Sequence, residues 1–249
     1  MTVSKDLQID FVKANALGND FIIIIDKFSK YKNLIDNTEL IKKMSDRKLG
    51  IGCDQLIYVD VDYKVLFWNQ DGSQAKFCGN GLKCLAKCFD AKSNIFSTAS
   101  GKVNTYKYKD QVAFNLPVIP LIKFIDYTME AYDVFVGNEH IVIFTDQEPD
   151  WAKITHDFSI YLEHKNIMCI WKSDDCWNIR SWERGVGLTM ACGSGTMAAA
   201  VAIWHSKPEF YDSQLTFVTK VGKLYVCKRR YIWQLGDANI VAYGTMTLA

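Results

Sequence analysis

The sequence lacks an excess of charge of either sign, and it lacks long apolar runs. Lys and Arg number 29 against 28 Asp and Glu, so the formal net charge of the 249 residues is +1. A strongly charged surface draws a protein to nucleic acid or to anionic lipid, and this balance supplies no such surface. No apolar run approaches the ~18 residues that a membrane-spanning helix needs. We therefore expect neither a nucleic-acid partner nor a membrane partner, and a function carried by local sites.

The N-terminal segment, "MTVSKDLQIDFVKAN", lacks the basic and apolar regions of a secretory signal peptide, which predicts a cytoplasmic protein. The eight cysteines are then expected to be thiols and not disulfides. No pair has C-x2-C spacing and no histidine lies at a ligand spacing from one, so we expect no metal site. Ordinary packed thiols are expected at Cys53, Cys84, Cys88, Cys169, Cys176 and Cys227.

The sequence is rich in strand-like runs and has few helical ones, which predicts an α+β fold. Runs of β-branched and aromatic residues lie at 21–26, 55–60, 64–69, 111–116, 140–146, 166–171, 215–220 and 239–246. Apolar residues recur with helical spacing at about 36–45, 79–90, 151–163 and 193–205.

The two halves of the chain repeat each other. "GNDFIIII" at 18–25 matches "GNEHIVIF" at 137–144, and "NQDGSQAKFCGNG" at 69–81 matches "ERGVGLTMACGSG" at 183–195 without a gap. A third pair, 96–108 and 215–227, keeps the order, and the offsets are 119, 114 and 121. This length can hold two domains of about 120 residues. The repeat predicts two similar domains, with the proline-containing stretch 115–124 as linker.

Two cysteines, Cys78 and Cys192, stand at matching places in the repeat, each before a Gly-x-Gly step into a helix. The unpaired N–H groups and the positive dipole end of a helix N-terminus favour a thiolate. They also suit a carboxylate anion. If the two domains face each other across a cleft, one thiolate can remove a proton from a carbon while the other thiol returns one to the opposite face. This arrangement predicts inversion of a stereocentre beside a carboxylate.

Other polar residues of the repeat take their meaning from the same geometry. Asn19 and Asn138 follow a glycine and precede a strand, although such a pair is also typical of a simple turn. Asn69 and Glu183 each lie nine residues before a motif cysteine, as expected if two ends of an asymmetric substrate are read. Arg184 can clamp a carboxylate or form a surface pair with its neighbour. His140 can tune a thiol or bind substrate.

The motifs "ALGNDF", "GIGCDQ", "NQDGS" with "CGNG", "GNEH", and "ERGVG" with "ACGSG" resemble the signature set of diaminopimelate epimerases. The resemblance runs from about Phe11 to Gly244. It implies a cofactor-independent epimerase, without pyridoxal phosphate, that interconverts LL- and meso-diaminopimelate on the way to lysine and cell-wall precursors. It also implies a homodimer and two pseudo-symmetric domains, each a mixed β-sheet curled around a central α-helix, with the active site in the interdomain cleft. The implied domains are 1–117, joined by a return strand at about 239–249, and 118–238.

Carried over by motif, the resemblance makes Cys78 and Cys192 the thiolate and thiol pair and places His140 in support near the reacting amine. The implied substrate contacts are Asn19, Gln55, Asn69, Gly79, Asn80, Asn138, Asn166, Glu183, Arg184, Gly193 and Ser194. The chain departs from the family pattern at Leu188 for Glu, Glu139 for Pro and Lys83 for Arg, and it lacks the Met-His pair before Leu17. None of these departures falls on a motif cysteine or an implied contact.

Three alternatives stay open. A proline or hydroxyproline racemase of the same fold would use the same thiol pair on a cyclic amino acid, but "GNDF", "NQDGS" and "ERGVG" favour a longer dicarboxylate. An isomerase with a carboxylate in place of the first thiol is disfavoured by Cys78. A degenerate binding protein without catalysis is disfavoured by the intact cysteine pair.

Overall fold

A computed structural model describes residues 7–32, 37–211 and 213–248 of the chain, and these residues form an α+β fold, as predicted. The described strands are β1 (Leu7–Ala16), β2 (Asn19–Ile25), β3 (Gln55–Val59), β4 (Val65–Asn69), β5 (Gln74–Ala75), β6 (Ser93–Thr98), β7 (Gly101–Tyr108), β8 (Gln111–Asn115), β9 (Leu121–Ile125), β10 (Ala131–Phe135), β11 (Glu139–Phe144), β12 (Asn166–Ser173), β13 (Cys176–Glu183), β14 (Gly187–Thr189), β15 (Leu215–Thr219), β16 (Gly222–Lys228), β17 (Ile232–Asp237) and β18 (Asn239–Leu248). The described α-helices are α1 (Thr38–Ser45), α2 (Gly79–Lys87), α3 (Trp151–Asp157) and α4 (Gly193–Ser206), and short 3-10 turns follow α3 at Ser159–Tyr161 and α4 at Pro208–Phe210.

Three predicted helices are shorter than expected, among them the one predicted over 79–90, which ends at Lys87, and one predicted linker is partly a strand. The helix predicted over 151–163 ends at Asp157, because the chain tightens there into a 3-10 turn. The helix predicted from 36 begins at Thr38, and position 36 lies outside the described residues. The linker prediction over 115–124 was wrong for its second half, because residues 121–125 form β9, which pairs antiparallel with β10.

The chain divides into two compact units, Met1–Val112 with Asp237–Ala249, and Ala113–Gly236. In the first unit the strands run in the order β18-β1-β2-β3-β4-β5, with β6 and β7 as an antiparallel hairpin. Helix α2 contacts β1, β2, β3, β7 and β18, so it lies at the centre of this unit. In the part of the chain that the structure describes, every helix is too short or too polar to span a lipid bilayer.

The second unit repeats the first in its topology. Its strands run β17-β16-β15-β13-β12-β11-β10-β9, with β14 paired to β13, and α4 contacts β10, β11, β12 and β16. The pairing of β1, β2, β3 and β4 is antiparallel, parallel, antiparallel, and the pairing of β10, β11, β12 and β13 is the same. Strand β18 pairs with β1 as β9 pairs with β10. The two copies therefore share an architecture even where their sequences have diverged.

Both faces of the first unit's sheet are covered, which explains why β2 reads as a continuous apolar run. Ile22 and Ile24 pack with Ile41 and Met44 of α1 in one core cluster. Phe21, on the opposite face of the pleat, lies beside Gly81 of α2. A strand that is buried on both sides loses the polar alternation of a solvent-facing strand.

The central helices are apolar on every side because each is enclosed by strands. From Gly195 to Trp204 every residue of α4 is buried, and from Gly79 to Ala86 every residue of α2 is buried. A helix that is apolar all round is one that packs on all sides. Lys83 of α2 is a charged type of residue in this apolar surrounding. Its side chain is fully buried, and burial lowers its pKa to about 8.

The second glycine of each Gly-x-Gly step lets the helix approach the sheet closely. A Cβ at Gly81 would lie 2.7 Å from Ile57 Cδ1, and one at Gly195 would lie 2.1 Å from Met168 Sδ. Real side chains do not pack at such distances, so these two positions need glycine for contact with the strands.

Replacing Gly195 by alanine is expected to destabilise the protein by about 1–3 kcal/mol, because buried Met168 would have to shift. Alanine's better helix propensity offsets about 1 kcal/mol of this at most. The midpoint of urea unfolding measures the effect. The matched test is Gly195→Ala with Met168→Ala, whose loss should be smaller than the sum of the two single losses. Simple additivity would refute the steric explanation.

Candidate active site

Three of the implied contact residues of the first unit meet at one edge of its sheet. Asn19 and Gln55 begin the parallel neighbours β2 and β3, and Asn69 ends β4. Gln55 pairs with Asn69 in the sheet register, and its Nε2 donates to Asn69 Oδ1 at 2.8 Å. Nδ2 of the same Asn69 carboxamide donates to Ser73 Oγ at 3.0 Å. These hydrogen bonds fix the side chains of Gln55 and Asn69 in one orientation.

The N-terminus of α2 reaches the same edge. Asn80 Nδ2 donates to Asn19 Oδ1 at 2.9 Å, which ties the first turn of α2 to the start of β2. Asn80 is only 3 % exposed, and its own Oδ1 has no hydrogen-bond partner among the residues that the structure describes. A buried acceptor of this kind is suited to a donor from a bound ligand, such as an ammonium group.

Cys78 caps α2 at this place. Its backbone is extended (φ −144°, ψ 108°), its side chain is half-buried, and its Sγ accepts a hydrogen bond from the Gly81 N–H at 3.3 Å. The sulfur therefore takes the place that serine or aspartate oxygen usually occupies at a helix N-cap. Thiolate charge at this position is favoured by the N–H groups and by the helix dipole.

The second unit builds the same arrangement around Cys192. This residue caps α4 with an extended backbone (φ −122°, ψ 113°), and its Sγ accepts from the Gly195 N–H at 3.3 Å. Sequence reasoning assigned the glycine-flanked N–H groups of both helices to a substrate carboxylate. The structure commits one of them in each helix to the thiol sulfur instead, which leaves the earlier N–H groups, at Gly79 and Gly193, as the candidates for a carboxylate.

Three further residues of the second unit lie at the matching sheet edge. His140 of β11 pairs with Asn166, which begins the parallel neighbour β12. Asn166 is buried, and its Oδ1 accepts from the Arg184 N–H at 2.9 Å, just after β13 ends at Glu183. Asn166 therefore holds the turn that presents Glu183.

Glu183 contacts the Cys192 thiol, and burial sets the protonation of both. Burial raises the pKa of Cys192 well above its usual range, the Glu183 carboxylate raises it further, and hydrogen bonds from Ser194 and the Gly195 N–H oppose the rise. Burial also raises the pKa of Glu183, against hydrogen bonds from Thr189 and from the Cys192 thiol. Because a carboxyl is far more acidic than a thiol, the proton stays on sulfur. The Cys192 S–H group then donates a hydrogen bond to the Glu183 carboxylate.

Ser194 links His140 to Cys192. Ser194 Oγ lies 3.1 Å from His140 Nε2 and 3.6 Å from Cys192 Sγ. His140 is fully buried, and its Nδ1 has no partner among the described residues. A proton on Nε2 finds an acceptor in Ser194, whereas a proton on Nδ1 would be a buried N–H without one. This tautomer frees the Ser194 hydroxyl proton to point at Cys192 Sγ.

Burial lowers the pKa of His140 to about 3, so its ring is expected to stay neutral from pH 5 to 8. The unfolded chain binds the extra proton between pH 6.5 and 3, so this residue's contribution to stability falls as the pH falls through that range. Nitrogen NMR of the ring should show no titration between pH 5 and 8, with His140→Gln identifying the signal. A midpoint between 6 and 7 in the folded protein would contradict a neutral, buried ring.

The remaining implied contacts and departures lie as follows. Asn138 is exposed and its Oδ1 accepts from the Glu139 N–H at 3.0 Å, as in a turn. Arg184 is exposed, and one guanidinium nitrogen donates to the His164 carbonyl at 3.2 Å. Leu188 is half-exposed in β14 and is paired with Trp182.

Two residues that support the site gave no signal, or a weak one, in the sequence. Thr189 Oγ1 donates to Glu183 Oε1 at 2.6 Å, and it lies in the repeated block, where a hydroxyl six residues after Glu183 could have been noted. Gln234 is fully buried in β17 and donates to the Gly193 carbonyl at 2.7 Å. Nothing in the sequence connects these positions, because they are 41 residues apart and meet only through the fold. Among the described residues no group of three or more His, Cys, Asp or Glu side chains is placed to hold a metal ion.

Comparison with known proteins gives relatives along the whole chain. A family model described as diaminopimelate epimerase matches residues 11–111. A protein of Rickettsia rickettsii (strain Sheila Smith) named diaminopimelate epimerase is 33% identical over 270 aligned residues, which cover 97% of this chain and 95% of that protein. One of Rickettsia felis with the same name is 34% identical over the same shares.

Solved structures with the same fold have much lower sequence identity. A phenazine biosynthesis protein of the PhzF family from Bacillus anthracis superposes with a TM-score of 0.73 at 13% identity, over 97% of this chain and all (100%) of that chain. A hydroxyproline epimerase from Agrobacterium vitis, solved with bound trans-4-hydroxy-L-proline, gives 0.70 at 11% identity, over 97% and 93%. These likenesses confirm the fold. The identity to the Rickettsia proteins over nearly the full length of both chains means that this chain belongs to the diaminopimelate epimerase family.

Proposed function

We propose that the protein is an isomerase that interconverts LL- and meso-diaminopimelate by proton transfer at one α-carbon, with Cys78 and Cys192 as the two proton-transfer groups. The observation that carries the proposal is the repeated thiol cap. In each unit a cysteine sulfur sits at the N-terminus of the central helix, bonded to the N–H three residues on. Two such thiols supply one group for each face of a carbon, which a racemising step requires.

The protonation of Cys192 supports a defined first step. Because this sulfur carries its proton, it is the acid in the direction in which the Cys78 thiolate is the base. The Cys78 sulfur takes the α-proton while the S–H bond of Cys192 breaks, and its proton forms the new C–H bond on the opposite face. The Cys192 thiolate left behind is stabilised by the Gly195 N–H and the Ser194 hydroxyl, so the reverse reaction can begin from it.

Recognition is assigned to the polar groups that lie around each cysteine. In the first unit these are Asn19, Gln55, Asn69 and Asn80, with the Gly79 N–H for a carboxylate. In the second they are Asn138, Asn166, Glu183, Arg184 and Ser194, with the Gly193 N–H. The unpartnered Oδ1 of Asn80 and Nδ1 of His140 are acceptors suited to ammonium groups. A substrate with an amino acid group at both ends uses both sets, whereas a cyclic imino acid has a single such end.

The wider context is part of the same proposal. Domains 1–117 with 239–249, and 118–238, enclose the substrate in a cleft between them. The enzyme works in the cytoplasm as a homodimer without pyridoxal phosphate or another cofactor, in the synthesis of lysine and peptidoglycan precursors.

Chiral chromatography of reduced protein incubated separately with LL-diaminopimelate, L-proline and trans-4-hydroxy-L-proline tests the substrate. The proposal predicts conversion of the LL isomer to a mixture with the meso isomer, and no change in the two imino acids. Racemisation of an imino acid alone would favour the racemase alternative, which the fold shared with a hydroxyproline epimerase keeps as second candidate. Tight binding of diaminopimelate without conversion would favour a binding protein.

A further inference from the structure

Four charged residues of the first unit form a cluster beside the implied substrate contacts. The cluster consists of Lys13 on β1, Asp20 on β2, Arg47 after α1 and Asp54 before β3. Asp20 directly follows Asn19 in the chain, and Asp54 directly precedes Gln55. The two acids are therefore the nearest covalent neighbours of two amides to which recognition is assigned.

Arg47 bridges the two acids with a forked geometry. Its two terminal nitrogens donate to Asp20, Nη1 to Oδ2 at 3.0 Å and Nη2 to Oδ1 at 2.6 Å. Nη2 also donates to Asp54 Oδ1 at 2.7 Å. Lys13 Nζ donates to Asp20 Oδ2 at 2.5 Å and to the Gly52 carbonyl. Two carboxylates held this close repel each other, and Arg47 is the cation that contacts both.

The same two acids also clamp the starts of β2 and β3 together. The Asp20 N–H donates to Asp54 Oδ2 at 3.1 Å, and the Asp54 N–H donates to Asp20 Oδ1 at 3.0 Å. The Asp54 N–H also lies 3.0 Å from the Asp20 carbonyl oxygen. Each carboxylate thus caps the other's backbone, while Arg47 and Lys13 together balance the two negative charges. Burial alone would raise the pKa of Asp20, but hydrogen bonds from Arg47 and Lys13 hold it well below its usual range.

We propose that Arg47 is a positioning residue for substrate recognition, which holds Asn19 and Gln55 at the sheet edge through its bonds to Asp20 and Asp54. This inference rests on the proposed function in taking these two amides as substrate contacts. Arg47 itself is half-exposed, at 52% of its side-chain surface. Exposed ion pairs contribute little to global stability, so its effect belongs to the local geometry of the site.

The experiment compares wild type with Arg47→Met, Arg47→Lys and the control Glu148→Gln, which breaks the comparable pair of Arg180 with Glu148 in the second unit. Without substrate, hydrogen exchange by mass spectrometry should rise at residues 18–22 and 53–57 in Arg47→Met and remain unchanged elsewhere. With LL-diaminopimelate, kcat/KM should fall by roughly tenfold to 10²-fold, mostly through KM, since misplaced positioning groups cost up to about that much. Arg47→Lys, which keeps the charge but loses the fork, should recover part of the loss. Glu148→Gln should change neither measurement.

Unchanged exchange at both segments in Arg47→Met would overturn the inference, and so would a wild-type KM. An exchange increase spread over the whole chain would also overturn it, because it would mean general destabilisation. Failure of the proposed function looks different. Wild type would then be inactive on diaminopimelate, and the exchange measurement, which needs no substrate, would still decide whether Arg47 orders the two strand starts.

Discussion

Replacing Cys78 or Cys192 by serine is expected to lower kcat for epimerisation by about 10²- to 10⁴-fold, the range that a general acid or base contributes. A serine hydroxyl can cap the helix as the thiol does, so the fold should be retained. It cannot carry the negative charge near neutral pH, and the proton transfer on its face of the carbon is lost. The two variants should lose similar amounts, because each direction of the reaction needs both groups.

Cys88 provides the matched control for these variants. It lies at the end of the same helix as Cys78, is half-buried, and donates from sulfur to the Cys84 carbonyl, a bond that serine can also make. Burial raises its pKa to about 12, so it is a poor proton acceptor near neutral pH. Cys88→Ser should leave kcat within about twofold of wild type, as is usual for changes away from the reacting groups. A loss in Cys88→Ser equal to that of Cys78→Ser would mean that the losses come from structure and not from chemistry.

Replacing Glu183 by glutamine is expected to lower kcat by about 10²-fold and to lower the pKa of the Cys192 thiol. The carboxylate accepts a hydrogen bond from the Cys192 S–H group and, by its negative charge, raises the pKa of that thiol, so the proton stays on sulfur. Removing that charge makes the thiolate easier to form, while the acceptor that orients the S–H proton becomes a weaker, neutral oxygen. Burial, the larger cause, still raises the pKa of Cys192 in the variant, so the thiol keeps its proton, and kcat falls because that proton is less well oriented.

Thiolate absorbance against pH measures the shift in the Cys192 pKa. The absorbance of the double variant Glu183→Gln/Cys78→Ser is compared with that of the triple variant that also carries Cys192→Ser, and the difference is the titration of Cys192. The corresponding difference in the Glu183 background should titrate at higher pH. Glu139→Gln is the control, since Glu139 is a partly exposed carboxylate of the same unit paired with Lys165 at 3.5 Å. An unchanged or raised Cys192 pKa in Glu183→Gln would contradict the charge argument.

The repeat in the sequence predicted the layout of the site because duplicated segments occupy duplicated places in a fold. Asn69 and Glu183, aligned nine residues before each cysteine, both end the fourth strand of their set, Asn69 in β4 of β1–β4 and Glu183 in β13 of β10–β13. Cys78 and Cys192 both cap a central helix. Spacing within a repeat carries this information without any knowledge of long-range contacts.

Spacing within a repeat does not predict contacts between residues that are far apart in the sequence. Gln234 reaches Gly193, and Arg47 reaches Asp20, across turns whose geometry no local pattern encodes. The glycines of the Gly-x-Gly steps were interpreted through anion binding, yet Gly81 and Gly195 face packed strands, a role that depends on the distance between helix and sheet. The linker prediction over 115–124 depended on two prolines, which precede β9, and only the pairing of β9 with β10 makes the second half of this stretch a strand.

The most direct test of the two-thiol account is the early fate of solvent deuterium when reduced protein acts on LL-diaminopimelate in D₂O, followed by NMR at the α-carbon. A thiol holds a single proton, so the base returns the original proton to any substrate that reverts, while the acid delivers solvent deuterium to product. The account predicts deuterium in the first meso product and almost none in the recovered LL isomer. Cys78→Ser and Cys192→Ser should each lose the formation of deuterated meso product. Deuterium appearing in recovered LL isomer as fast as in product, or meso product that retains the original proton, would contradict it.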